Sequence, residues 1–220
     1  MRTSQQIPLK STCGYIDSHN QWRGLVIVAD VDFGTYHHST PEESKRIRED
    51  AEKAFSKLLR PLYPSVATLR ILDAECGLGF LTNVAAECFP KPTIAGIDLF
   101  RHDSASQLSL DKAVKNMKSL GIDSRTSFFK HDLTKPLKFD VQYDLAISNL
   151  VFHNIGKKRF KAYGTVFDAL KPGGYFVIGD LFPRGKADMD YLRERSTLIN
   201  ELDQGDSGRW HYQIKVLRKP

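Results

Sequence analysis

Residues 71–79, Ile71-Leu72-Asp73-Ala74-Glu75-Cys76-Gly77-Leu78-Gly79, constrain the fold more than any other stretch of the chain. A β-prone apolar run closes on an acidic residue, and a glycine-containing turn then opens a helical pattern. Doubly wound α/β domains build a nucleotide-type ligand site this way, at the carboxyl end of the first strand. Glycine lets backbone approach a ligand where a Cβ would collide.

Strands and helices alternate from that point. The pattern predicts strands at Leu69–Ala74, Thr93–Asp98, Ser127–His131, Tyr143–Asn149 and Tyr175–Leu181. Helices are expected over Phe80–Phe89, Ala105–Leu120 (stopped by Gly121), Lys157–Leu170 and roughly Ala187–Leu202, with a last strand at Trp210–Leu217. Lys171-Pro172-Gly173-Gly174 reads as a sharp turn, and Asp144, which begins its strand, as structural. Upstream, Thr40-Pro41-Glu42-Glu43 is a helix start: a threonine cap, proline in the first turn, and glutamate three residues after the cap. The apolar positions Ile47, Ala51, Ala54, Phe55, Leu58 and Leu62 follow at helical spacing, and Pro61 and Pro64 mark its end. Residues 1–39 form an N-terminal extension or lid whose one strand, Leu25–Phe33, joins a sheet edge or part of a lid; residues 40–220 form the main domain.

The expected fold is therefore a Rossmann-like, doubly wound α/β domain. Its sheet is mostly parallel with helices on both faces, and its C-terminal strand is antiparallel. Ligands should meet the loops after residues 74, 98, 131, 149 and 181. A dinucleotide fingerprint wants a small residue at position 82, and Thr82 disfavours an NAD-dependent dehydrogenase.

The net charge of +6, from 32 basic and 26 acidic residues, favours encounter with anions but is spread along the chain. The run Leu25–Ala29 is too short to span a bilayer. Cys13, Cys76 and Cys88 lack metal-ligand spacing and leave an odd one if paired, which points to reduced thiols in a cytoplasmic protein.

The order Asp73-x-x-Cys76-Gly77-x-Gly79, Asp98, His131-Asp132-Leu133, Tyr143-Asp144-Leu145 running to Asn149, and Leu170-Lys171-Pro172-Gly173-Gly174 resembles the class I S-adenosylmethionine-dependent methyltransferases over about residues 40–182. The resemblance implies S-adenosyl-L-methionine as cofactor. It places Asp73 and the turn Glu75, Cys76, Gly77, Gly79 against the methionine part, Asp98 on the ribose hydroxyls and Leu99 beside the adenine. Asp132 would accept the adenine amino group with Leu133 packing nearby, and Asn149 would open the loop that meets cofactor and substrate together. One departure stands out: the family usually carries glycine at the position of Glu75. A glutamate there would pair with the cofactor's ammonium group or a substrate amine, or would obstruct the pocket; the intact neighbouring positions favour a functional adaptation.

The segment Ser148-Asn149-Leu150-Val151-Phe152-His153-Asn154 lacks the Asn-Pro-Pro-Tyr motif of relatives that methylate nucleobase amines or protein glutamine. It looks more like members acting on small molecules or lipids. His153 is the leading base or orienting residue, with a structural histidine as the competing reading. Tyr36 and His37, in Tyr36-His37-His38 ahead of the capped helix, are the second catalytic candidates, as part of a lid. No metal ligand set is evident. Lys157, Lys158, Arg159 and Lys161 stand near the expected rim and suit a substrate phosphate or carboxylate; Arg209, Lys215, Arg218 and Lys219 would extend a basic surface that fits RNA.

The expected function is methyl transfer to a small-molecule or lipid-like acceptor, one that is anionic if the rim lysines bind it. An RNA or protein methyltransferase is the first alternative, and a non-catalytic cofactor-binding or partner protein the second. Either a monomer or a homodimer is compatible with the sequence.

Overall fold

The computed structural model describes residues 15–16, 22–23, 31–37, 39–101, 108–137, 141–182, 186–207 and 210–220. The chain separates into two compact units, Met1–Val31 and Asp32–Pro220. In the first, β1 (Tyr15–Ile16) and β2 (Trp22–Arg23) form a two-stranded antiparallel ladder. Of the strand expected over Leu25–Phe33, residues 25–30 lie outside the described residues, and residues 31–33 have no strand conformation.

The second unit begins with residues 32–37 and 39–40, which bond or pack against three helices. Helix α1 (Pro41–Leu59) carries the full capping box: Thr40 Oγ1 accepts from the Glu43 amide, and the Glu43 carboxylate accepts from the Thr40 amide. Its buried face is Ala51, Ala54, Phe55, Leu58 and Leu59. Next come β3 (Arg70–Ala74), α2 (Phe80–Cys88), β4 (Thr93–Asp98), α3 (Leu110–Ser119), β5 (Thr126–Lys130) and β6 (Tyr143–Asn149). A short α4 (Phe152–Ile155) and a 3₁₀ turn, Gly156–Lys158, lead into α5 (Arg159–Ala169), β7 (Leu170–Phe182), α6 (Lys186–Arg193), β8 (Thr197–Ser207) and β9 (Trp210–Arg218).

The seven-stranded sheet has the order β5-β4-β3-β6-β7-β9-β8. Strands β5 to β7 are parallel, while β9 runs antiparallel between β7 and β8. Strand order reverses between β4 and β6 around β3, which puts a ligand crevice at the carboxyl end of β3. One core layer joins α1 and α2 to one face of the sheet through Phe55, Leu59, Ile71, Val84 and Leu145. The other joins α5 and α6 to the opposite face through Leu72, Tyr163, Val166, Phe176 and Leu192.

Two expectations change here. The helix expected over Ala187–Leu202 ends at Arg193, and residues 197–202 begin β8. Leu198 and Leu202 pair across from Leu217 and Ile214, an alternation that suits a strand against β9. The turn at Lys171–Gly174 is a bulge inside β7: pairing with β6 jumps from Tyr143–Leu170 to Leu145–Tyr175, and Gly173 takes φ +75° there.

Gly96 fixes the spacing between β4 and its neighbours. A Cβ there would stand 2.3 Å from the Phe128 ring and 2.8 Å from Cys76 Sγ, so only glycine lets ring and thiol close over the strand.

Helix α6 is held to α5 by a charged clamp. Arg159 grips the buried Asp188 with Nε at 2.6 Å and an Nη at 2.8 Å, and Tyr163 donates to the same carboxylate at 3.2 Å. The guanidinium fork and carboxylate match as a bidentate pair. We expect Asp188→Ala to destabilise the protein by about 3 kcal/mol, because it strands a largely buried guanidinium. Urea denaturation should show this as a lower midpoint with an unchanged slope.

Candidate active site

The loops at the carboxyl ends of β3, β4 and β6 concentrate the unusual backbone of the molecule. Among the described residues, three non-glycine positions have positive φ: Glu75 (58°), Phe100 (50°) and Leu150 (58°). They follow β3, β4 and β6 by one or two residues. Left-handed backbone in ordinary residues costs free energy and persists where surrounding structure enforces it, commonly at functional sites.

The β3 turn is tied to β4. Cys76 N donates to Ile97 O at 3.1 Å and Gly79 N to Cys76 O at 3.0 Å. Gly77 N donates to Asp98 Oδ2 at 2.9 Å, while Asp98 Oδ1 accepts from Phe100 N at 2.5 Å. Gly77 and Gly79 adopt φ +53° and +87°, and a Cβ on Gly79 would meet Met117 Cε at 2.5 Å. The Cys76 thiol is buried beneath the turn, so only its backbone serves the site.

Asp73 is fully buried and accepts from Thr82 Oγ1 at 2.6 Å, locking β3 to α2. Thr82 therefore has a structural task that the small residue of a dinucleotide fingerprint could not perform. Burial pushes the Asp73 carboxyl up to about 7, with Thr82 pulling back and Asp98 adding repulsion.

Asp132 accepts from both the amide and the hydroxyl of Thr134, at 2.9 and 2.6 Å, as a strand-end turn does. The Thr134 hydroxyl holds its carboxyl below the usual range. Leu99 and Asp132 line an open cleft of about 550 Å³ together with Lys130, His131, Lys135 and Pro136. Leu133 is buried in the core.

Across the sheet, the β6 loop and the end of β7 form a second constellation. His153 Nδ1 and Asp180 Oδ1 lie 2.5 Å apart, and Asp180 is buried. The Asp180 carboxylate also accepts from the amides of Phe152 (2.7 Å), His153 (3.4 Å) and Leu181 (2.7 Å). A carboxylate so fixed orients the imidazole and selects the tautomer that carries the proton on Nδ1. Asn149 Oδ1 accepts from Tyr212 at 2.6 Å. Burial raises the Tyr212 phenol far above its ordinary value, with Tyr36 and Asp180 near enough to add to it.

Tyr36 thus stands close to the Asn149–Tyr212 pair. Its segment is pinned down: Tyr36 N donates to Ser44 Oγ (2.9 Å), Arg48 donates to Gly34 O (2.7 Å), and Asn116 bridges Asp32 O and Leu78 O at 2.9 Å each. Arg48 also lies 5.2 Å from the Tyr36 ring centre. Burial raises the Tyr36 phenol, which keeps it neutral. His37 is exposed on the following turn, and His38 lies outside the described residues.

The sequence reading missed Asp180, Tyr212 and Arg48. Asp180 carried a usable signal, since it closes an apolar strand as Asp73 and Asp98 do. The basic surfaces also change. Arg159 is committed to Asp188, while Lys157, Lys158 and Lys161 remain exposed. Lys215 is buried against Glu201 (2.8 Å), and Lys219 donates at 2.7 Å to the Phe167 and Leu170 carbonyls at the end of α5. Arg209 lies outside the described residues.

The model of a family described as a methyltransferase domain matches residues 65–212, which is most of the chain and runs from ahead of β3 to the start of β9. The chain belongs to the class I S-adenosylmethionine-dependent methyltransferase family. Malonyl-[acyl-carrier protein] O-methyltransferase of Bacillus cereus is 28% identical over 152 residues, covering 67% of this chain and 52% of that protein. Ribosomal protein uL3 glutamine methyltransferase of Bradyrhizobium diazoefficiens is 36% identical over 83 residues, covering 38% of this chain and 24% of that protein. The chain thus spans about half, or less, of the curated relatives it matches. The N-methyltransferase NodS of Bradyrhizobium japonicum, solved with S-adenosyl-L-homocysteine, superposes with a TM-score of 0.59 at 17% identity, over 76% of this chain and 87% of that one. The [4+2]-cyclase SpnF superposes at 0.63 and 16%, over 88% and 89%. The fold is the same in both, although one of them is titled a cyclase.

The methyltransferase family uses S-adenosylmethionine. Leu99 offers an apolar wall beside the cleft.

Proposed function

We propose that the protein transfers a methyl group from S-adenosylmethionine to an oxygen or nitrogen of a small-molecule or lipid-like acceptor. When bound, the cofactor supplies an already electrophilic methyl group. The chain's part is to align the acceptor, exclude water and handle one proton. The observation that carries the reading is the pairing of His153, in α4 after β6, with Asp180 near the end of β7, 2.5 Å apart. Asp180 holds the ring so that Nε2 can take a proton from an acceptor hydroxyl or amine as the methyl arrives. Asp98 would hold the ribose, and Asp73 would stiffen the turn from beneath rather than touch the ligand.

The malonyl-[acyl-carrier protein] relatives support an acyl, lipid-like acceptor. Exposed Lys157, Lys158 and Lys161 at the start of α5 suit an anionic group on it. A protein acceptor is the second reading, favoured by the uL3 glutamine methyltransferase match. Against it, Asn149 is followed by Leu150-Val151-Phe152 instead of the Pro-Pro-Tyr expected for planar amides.

Labelled S-adenosylmethionine with cell extract tests the reading. The label should enter a low-molecular-weight or acyl-linked fraction, and the His153→Ala variant should remove it. Label confined to ribosomal protein or RNA would overturn the proposal.

A further inference from the structure

Asn149, the last residue of β6, and Tyr212, on β9, are not neighbours in the sheet, because β7 runs between their strands. They meet because β7 carries a glycine at that level. Gly179 pairs with Asn149 on one side and with Ile214 on the other. A Cβ on Gly179 would stand 2.5 Å from the Tyr212 hydroxyl and 2.8 Å from Asn149 Oδ1. The phenol reaches across the bare strand and donates to that oxygen at 2.6 Å. The strand end itself is held: Ser148 Oγ donates to Ala74 O at 2.8 Å, and Leu150 N to Gly179 O at 2.8 Å. The contact lies at the carboxyl edge of the parallel strands, where such sheets bind ligands.

The direction of the Tyr212 bond determines what Asn149 offers a ligand. Among the described residues the Tyr212 hydroxyl has no other hydrogen-bond partner, so its proton goes to the amide oxygen. Burial keeps that proton on the phenol. With Oδ1 turned toward Tyr212, the other end of the amide is an N–H₂ group, which only donates. Among the described residues nothing accepts from Asn149 Nδ2, and the residue is half-buried, not enclosed.

We infer that Tyr212 is a positioning residue for specificity: it holds the Asn149 amide with its N–H₂ end toward the ligand, so that the methyl acceptor is an oxygen, of a hydroxyl or a carboxylate, and not an amine. The inference rests on the Proposed function and narrows its acceptor atom from oxygen or nitrogen to oxygen. A hydroxyl oxygen has two lone pairs, one to accept from Nδ2 and one to attack. A neutral amine has a single lone pair, which must attack, so its N–H groups would face those of Asn149 with no acceptor between them. In the transfer, the acceptor oxygen forms its bond to the methyl carbon as the carbon–sulfur bond breaks. The electron pair of that bond stays on sulfur, which becomes a neutral thioether. A hydroxyl proton goes to His153 Nε2, as in the Proposed function, and a carboxylate has none to lose.

The test uses S-adenosylmethionine with a deuterated methyl group, incubated with cell extract and the wild type, Tyr212→Phe or Asn149→Asp. Mass spectrometry assigns the methyl in each product to oxygen or nitrogen, and calorimetry with S-adenosylhomocysteine runs alongside. The wild type is expected to label oxygen. Tyr212→Phe keeps the ring and frees the amide to turn over. Its ratio of oxygen to nitrogen methylation should fall by about tenfold, the weight of one neutral hydrogen bond. A tyrosine that merely braced the strands would lower both products together and leave the ratio alone. Asn149→Asp keeps the bond to Tyr212 and puts an oxygen where the N–H₂ group stood, so its ratio should fall further; it carries the test if Tyr212→Phe does not fold. Wild-type label on nitrogen, or a wild-type ratio in either folded variant, would overturn the inference and leave the Proposed function standing. A wild type that binds S-adenosylhomocysteine but labels no low-molecular-weight or acyl-linked product would overturn both.

Discussion

Asp98→Ala should weaken S-adenosylhomocysteine binding by about two to four orders of magnitude, read by titration calorimetry. The estimate follows from the chemistry of the acceptor. Two hydrogen bonds from ribose hydroxyls to an ionised carboxylate are each worth about 1.5–3 kcal/mol, and the truncation removes both. Asp98 also receives Gly77 N and Phe100 N, so the variant loosens the turn that shapes the recess. Asp98→Asn separates the two contributions. It keeps one oxygen, which serves one of the two turn amides, and loses the charge, so it should fall between the wild type and alanine. Thermal denaturation without ligand shows how much of each loss is structural.

The second large effect concerns catalysis. His153→Ala should lower kcat by about 10²–10⁴ with little change in cofactor affinity, the range expected when a positioned proton acceptor is removed. Asp180→Asn should lower kcat nearly as far while His153 stays in place. An amide in that position can present N–H to Nδ1 and so favour the opposite tautomer, turning the acceptor nitrogen away from the substrate. Asp180 also accepts from Phe152 N at 2.7 Å, so part of its effect comes through the start of α4. The two losses should be far from additive: the double variant should be scarcely worse than His153→Ala, because one group acts through the other. Additive losses would mean that Asp180 holds the loop independently of the histidine.

Much of this architecture is legible in the sequence because parallel strands buried on both faces are short apolar runs with sharp ends. Strand β6 lies at Tyr143–Asn149 as expected, and β3 and β4 likewise end on Ala74 and Asp98. The capping box at Thr40 is local chemistry and reads directly. The C-terminal hairpin does not. Leu198 and Leu202 are four apart, a spacing that satisfies both a helical face and one side of a strand. Pairing with Leu217 and Ile214 settles it, and that is long-range information. The site divides in the same way. Glycines and strand-end acids mark the β3–β4 edge along the chain, whereas Asp180 lies 27 residues from His153 and meets it only through the β6–β7 pairing. Lys215 misleads for a related reason: it looks like surface charge, yet it sits on a central strand of the hairpin beneath the Phe182 ring.

The central claim is that Asp98 holds the sugar of an adenine nucleoside at the end of β4, with the base in the cleft beside Leu99. A crystal structure of the protein with S-adenosylhomocysteine tests it most directly. The account predicts both ribose hydroxyls on the Asp98 carboxylate and the adenine in the cleft beside Leu99 and Asp132. A nucleoside bound away from Asp98 would contradict it.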